Sequence, residues 1–318
     1  MNYAGIVFNQ LLSLIIYALV GVVCVKTKIL DEKGLGYISA FIVKVSMPIM
    51  ILQKIASMES FQFVMSRLPV VLLGGVMFAF NYVLSFVLKK AFKLTGDKGD
   101  VYRATTIFGN TAFMGIPVLT ALFPENGMLY ISLFTLIDQI FLWTVGVSLT
   151  TPAAKKVSDK KGFDPVVFKR ILTPGFVLMV LAFAMLILGI KFPPFVDKAF
   201  LSIGNTVSPM ALIYLGGVFC YADIKGSFKH LEYYAAVLFR MVVFPITFYL
   251  FMRMINIESE TRIALALIGA MPAMTSVSIM AKVNGSEGEY SACQIFLTTL
   301  FSVLTLPLVA YIITSLIK

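Results

Sequence analysis

Apolar residues in this chain run on in long blocks and do not alternate with polar ones. Ten such blocks, at about 4–25, 35–56, 68–92, 101–123, 128–150, 170–190, 197–220, 231–255, 261–283 and 290–316, hold few charges. The hydrocarbon core of a bilayer is about 30 Å thick and takes around 20 residues of helix to cross. Backbone groups in lipid must be paired within their own segment, so each block is predicted to be a helix. The pattern predicts an all-α integral membrane protein of ten transmembrane helices. The first block lacks a basic leader and is longer than the apolar core of a signal peptide, so it reads as span 1.

Spans 4 and 9 are less apolar than the rest. Span 4 contains GNTAFMGIP at 109–117 and span 9 contains GAMPAMTSVS at 269–278. Proline removes a backbone donor and crowds the preceding turn, so both helices are predicted to be broken or kinked near their middles.

The blocks also repeat. QIFLWTVGVSL from Gln139 in span 5 matches QIFLTTLFSVL from Gln294 in span 10. IVKVSMPIMIL around Pro48 in span 2 matches IGNTVSPMALI around Pro209 in span 7, which sets Lys44 opposite Asn205. Spans 4 and 9 open on Tyr102-Arg103-Ala104-Thr105 and Thr261-Arg262-Ile263-Ala264. Each match is five spans apart, so equivalent helices cross in opposite directions. The prediction is two inverted five-helix repeats, 1–151 and 170–318, joined by a cytoplasmic linker at 152–169. Such folds bind substrate near the midplane between discontinuous helices.

Composition strengthens the membrane reading. Hydrophobic residues make up 59% of the 318 and charged residues 13%, and the mean hydropathy is +0.93. A soluble domain carries roughly twice that share of charge. The net charge of +10 raises the question of nucleic acid. The basic residues, however, sit in short loops instead of on one face, so no nucleic-acid partner is expected. Of the Lys and Arg in the loops and near the span ends, 17 fall on the side of the odd-numbered loops, Arg103 among them, and 7 on the other side. The positive-inside rule then puts the odd loops in the cytoplasm and both termini outside, in a multi-pass plasma-membrane protein. Cys24, Cys220 and Cys293 lie in or at the edge of apolar blocks, without metal-ligand spacing, and read as small packing residues.

A helix broken in mid-bilayer leaves N–H and C=O groups unpaired, and the N-terminal end of a half-helix favours a carboxylate. If spans 4 and 9 cross at their breaks, those donors converge. Asn110 and Thr111 lie beside the first break, and Thr275 and Ser276 just beyond Pro272 at the second. They offer neutral donors and acceptors for an anion or a sodium ion. The alternative is that they only satisfy the freed backbone of kinked helices. Three ionisable residues lie within spans: Lys44, Asp138 and Arg240. Such residues are functional candidates. Lys44 suits an anionic substrate. Asp138, beside Gln139, suits a proton or a cation. The alternative for that pair is a structural ion pair, and for Arg240 a long stem reaching out of the apolar layer. His230 reads as a solvated loop residue, and Phe141, Trp143 and Tyr249 as lipid-facing or interfacial. No phosphate-binding loop, paired acidic motif or zinc constellation is present, so no enzyme activity and no cofactor are expected.

At Asn110, Thr111, Met114, Gly115, Ile116 and Pro117 the chain resembles the auxin efflux carrier family, which includes plant PIN-type carriers and bacterial permeases for malate- or malonate-like acids. The resemblance extends over the whole chain, with Pro272 at the second crossover. It implies a fold like that of bile acid–sodium symporters. Spans 1, 2, 6 and 7 would form a scaffold, and spans 3–5 and 8–10 a transport domain. It also implies substrate contact at Asn110 and homodimers formed through the scaffold. The chain lacks the long central loop of the plant carriers, so regulation by phosphorylation is not expected there.

These readings lead to a secondary transporter of small organic anions, working by elevator-type alternating access. The substrate set is Asn110, Thr111, Gly115, Pro117, Lys44, Asn205, Pro272, Thr275 and Ser276. Asp138, Gln139 and Gln294 are coupling candidates, with Na+ or H+ as coupling ion and a possible sodium position near Asn110, Asp138 and Gln294. Two alternatives remain: a symporter of another small solute, and a ligand-sensing membrane protein that does not transport.

Overall fold

The computed structural model describes residues 3–58, 60–156, 174–221, 226, 228–255 and 257–317. The predicted linker, 152–169, lies mostly outside these residues. Within it, Ala153–Lys156 forms one helical turn, tied down by a hydrogen bond from Ala153 N–H to Asp97 Oδ1 (2.9 Å).

In chain order the helices are α1 (Tyr3–Lys26), α2 (Glu32–Ala56), α3 (Phe61–Met65), α4 (Pro69–Ala91), α5 (Gly96–Ile107), α6 (Thr111–Leu122) and α7 (Gly127–Thr150). They continue with α8 (Ala153–Lys156), α9 (Pro174–Ile187), α10 (Pro194–Phe219), α11 (Leu231–Arg253), α12 (Ser259–Gly269), α13 (Thr275–Asn284) and α14 (Gly288–Ile317). No strand occurs among the described residues. Among the described residues six helices, α2, α4, α7, α10, α11 and α14, are long and apolar enough to cross a membrane.

Local chemistry explains where several helices start, stop and widen. Asp31 caps α2 by accepting from Gly34 N–H (2.7 Å), which satisfies one of the donors a helix start leaves open. Helix α13 stops at Gly285, whose φ of 77° is left-handed. Ser286 N–H then bonds back to Ala281 O (2.8 Å), closing the turn as glycine-terminated helices do. In α2, α6 and α11 a widened π-type turn (Ile42–Ser46, Thr111–Gly115, Ala236–Val243) runs up to a proline two residues further on, at Pro48, Pro117 and Pro245. Proline lacks the N–H that an α-turn needs and pushes the preceding carbonyl aside, and a wide turn absorbs both effects.

The helices pack in two groups. Helix α1 lies along α10, and α2 lies along α9 and α10. In the other group α4 packs on α5 and α7, α6 on α7, α11 on α12 and α14, and α13 on α14. The α1–α10 contact is close enough that a methyl group on Gly21 would overlap the Ile213 carbonyl, and one on Gly216 the Ala18 carbonyl. Small residues that let backbones approach are how helices associate where water supplies no driving force. Helix α1 also touches α6 and α14, so the two groups meet along it.

Four sequence expectations meet a different environment. Arg103, counted as a loop charge, lies inside α5, buried, with its guanidinium 4.5 Å from the Tyr82 ring centroid. Phe141 stacks on Phe78 (4.8 Å) and Tyr249 is fully buried, so both rings serve helix packing and not a lipid interface. His230 sits 3.1 Å from Glu232 and against Tyr233 and Tyr290, so it is half-buried in a polar–aromatic cluster. The first interruption falls at Phe108–Asn110, within GNTAFMGIP and beside Thr111, and the wide turn that follows takes up Pro117.

Candidate functional site

Helix α5 ends at Ile107 and α6 begins at Thr111, while α12 ends at Gly269 and α13 begins at Thr275. The two intervening segments run antiparallel against each other. Gly109 pairs with Ala273, Asn110 N–H donates to Pro272 O (2.7 Å), and Met274 N–H donates to Phe108 O (3.0 Å). Two strand-like bonds thus replace helical bonds that both segments have lost, which is what a buried backbone requires.

Asn110 occupies the centre and is 1% exposed. Its Oδ1 accepts from Phe113 N–H (3.3 Å), capping α6, and its Nδ2 donates to Thr275 Oγ1 (3.4 Å) across the crossing. Thr111 folds back on Gly109, its N–H donating to Gly109 O (2.8 Å). Gly115 lies one turn on, where a Cβ would come 3.2 Å from Thr111 Cγ2. Pro117 is buried in α6, and Ser276 is half-buried beside Thr275.

The far wall comes from α14 and α11. Gln294, fully buried, accepts from the Thr105 hydroxyl and donates to Thr106 Oγ1 (3.4 Å). Thr298, one turn further, accepts from Ala273 N–H (3.2 Å). Arg240 is 2% exposed and donates from Nε to Thr106 O (2.8 Å) and from Nη1 to Met271 O. Sequence reasoning named Arg240 only as an ionisable residue and passed over Thr105, Thr106 and Thr298. The legible signal was a guanidinium in an apolar block. The threonines carry none, since hydroxyls in such helices usually bond their own backbone.

Asn110, Thr111, Pro272 and Thr275 therefore meet at one place, and Gln294 braces the end of α5 that leads into it. Lys44 and Asn205 lie elsewhere. Both are exposed, on either side of the point where Thr206 Oγ1 donates to Ser46 Oγ (3.3 Å) and joins α10 to α2. Asn205 faces a cavity of about 570 Å3 between the two helix groups, together with Gln53, Lys54, Thr120 and Asn126. A second cavity, about 610 Å3 and almost wholly apolar, is lined by α1, α10 and α14, with Met114 of α6.

Asp138 is 4% exposed and shares one face of α7 with Phe134 and Phe141. Both rings stack on Phe78, which also touches Phe108 of the interruption (5.6 Å). Asp138 therefore lies in the layer behind the crossing. Its Oδ1 has no hydrogen-bond partner among the described residues, and Oδ2 has only Gln139 Nε2 at 3.5 Å. No ion pair joins it to Lys44 among the described residues. Gln139 is half-buried and accepts from the Trp143 indole (3.1 Å).

The sequence profile of a membrane transport protein family, Mem_trans, matches residues 6–310. The chain belongs to this family of auxin efflux carrier-like transporters. The transporter is also 26% identical over 319 residues to an uncharacterized transporter of Methanocaldococcus jannaschii, an alignment covering 96% of this chain and 99% of that protein. It is a multi-pass membrane transporter and not an enzyme.

Proposed function

We propose that the transporter is a secondary carrier of small organic anions, carboxylates such as malate-, malonate- or auxin-like acids. It works by elevator-type alternating access around the crossing of two interrupted spans. The observation that carries this reading is the crossing itself. Two helix starts, at Thr111 and Thr275, lie beside each other with Asn110 between them. Helix starts present N–H groups and partial positive charge, a ready complement to a carboxylate.

In this reading α5–α6 and α12–α13 are broken spans 4 and 9 of a ten-span inverted repeat. Two structural pairings support it. The packing of α1 on α10 is mirrored by that of α9 on α2. Arg103 near the start of span 4 lies over Tyr82 of the preceding helix, and Arg262 near the start of span 9 lies over Tyr249 of its preceding helix. The α1–α2–α9–α10 group is the scaffold, through which a homodimer forms in the plasma membrane with both termini extracytoplasmic. The other group moves against it along the two cavities. Lys44 and Asn205, on the scaffold side, line the substrate's route.

Coupling to an ion is favoured by one observation, the buried and unpaired Asp138 Oδ1. An unpaired carboxylate away from water is costly unless it takes a proton or a cation. Asp138 is the coupling group, with Na+ or H+ as the ion.

Uptake of a panel of mono- and dicarboxylates into proteoliposomes, with sodium and pH gradients imposed separately, tests both parts. Accumulation of at least one carboxylate is expected. Binding without accumulation would identify a sensor instead. Asp138→Asn should abolish the gradient dependence while leaving downhill exchange. Uptake that keeps its sodium and pH dependence in that variant would return Asp138 to a structural role.

A further inference from the structure

We propose that Arg240 is the positioning residue that locks the two interrupted segments into a single anion-selective unit. The proposal rests on the carrier reading above for its substrate, and on the geometry alone for the lock.

Arg240 lies in the widened turn Ala236–Val243 of α11, buried on all sides. Its guanidinium donates to Thr106 O, in the last turn of α5, and to Met271 O, just past the end of α12. These are carbonyls that a terminating helix leaves without an intrahelical donor, at the end carrying partial negative charge. One comes from each half of the molecule. A guanidinium can hold both because its donors are fixed in a plane, whereas an ammonium is a single point on a flexible stem. Gly109 leaves room for it, since a Cβ there would lie 2.5 Å from Nη2. No carboxylate pairs with Arg240 among the described residues.

Two consequences follow from this arrangement. First, the ends of α5 and α12 are tied to the same rigid group, so the segments 108–110 and 270–274 hold one relative position as the carrier moves. Second, the cation offsets the negative ends of both helices. The positive starts of α6 and α13 then dominate the field at the crossing, and an anion is favoured over a neutral or cationic solute.

Hydrogen exchange on the purified transporter in lipid nanodiscs tests the lock without any substrate. In Arg240→Met, amides at 108–115 and 270–277 should lose protection together, while those of α1 and α10 stay as in the wild type. Loss on one side only, or on neither, overturns the lock. If Arg240→Met fails to fold, Gly109→Ala carries the same test, because its methyl group displaces the guanidinium while keeping the arginine. Radiolabelled malonate and indole-3-acetate uptake tests the second consequence. Arg240→Met removes the offsetting charge, so KM for the transported acid should rise about tenfold with Vmax held within about twofold, and Arg240→Lys, which restores the charge, should recover part of that loss. An unchanged KM overturns the positioning of the anion. If the wild type takes up neither acid nor any other carboxylate, the carrier reading fails, while the exchange result still decides the lock.

Discussion

The two interruptions differ in what stabilises them. The first, Phe108–Asn110, is short and carries its own cap, with Asn110 Oδ1 on Phe113 N–H. The second, Ala270–Met274, is longer, contains Pro272, and has no side-chain cap on α13. The helices behind them differ in the same sense. Gln139 and Gln294 occupy equivalent places in the repeated QIFL motif. Gln139 bonds locally to Trp143, whereas Gln294 reaches Thr105 and Thr106 of the opposite half. Two segments with similar sequence motifs thus carry divided roles. The first half supplies the amide at the centre of the crossing, and the second supplies Gln294, Thr298 and Arg240 around it.

The largest test of this division is Asn110→Asp. The carboxylate keeps the acceptor that caps α6 but removes the donor to Thr275 and adds a negative charge. The surviving cap does not offset a charge buried at a 1%-exposed position, so stability should fall by more than about 2 kcal/mol at neutral pH, while affinity for carboxylates falls at least about tenfold. Undiminished affinity in a binding titration would move the anion away from Asn110. Asn110→Ala should cost less in folding, about 1 kcal/mol from the lost cap, alongside weaker binding.

A smaller effect separates the glutamines. Gln294→Leu removes the bonds to Thr105 and Thr106, whose hydroxyls keep backbone acceptors in their own helix, and should cost about 1 kcal/mol in thermal unfolding. Gln139→Leu, at a half-buried position with one local bond, should cost less than about 0.5 kcal/mol. Equal losses would mean that the two motifs do the same work. The smallest effect is expected of Ser276→Ala, half-buried beside the crossing. A change in unfolding within about 0.5 kcal/mol, with unaltered uptake, leaves Thr275 as the second half's contribution. A large loss of uptake would add Ser276 to the site.

The apolar blocks made the helices legible because hydrophobic length is a local property, and a helix needs only its own backbone to form in lipid. GNTAFMGIP and GAMPAMTSVS marked where the helices falter for a similar local reason, through Gly, Pro and small hydroxyl residues. Which residues of GNTAFMGIP leave the helix was not legible, because the sequence does not reveal that a widened turn absorbs the ring of Pro117. Lys44 and Asp138 looked alike as charges in apolar blocks, yet one is exposed and the other buried and unpaired. Exposure depends on which helix covers which, and that pairing is not written in either helix.

By itself the sequence determined an all-helical membrane protein, the repeat of its motifs and the two segments of weakened helix, all of which follow from residue type and spacing. Only the tertiary structure decided that Asn110, Pro272 and Thr275 share one centre, that Gln294 and Arg240 hold the helix ends beside it, and that Lys44 and Asn205 stand apart from them. Those facts rest on hydrogen bonds between residues more than a hundred positions apart, and such bonds exist only once the helices have packed.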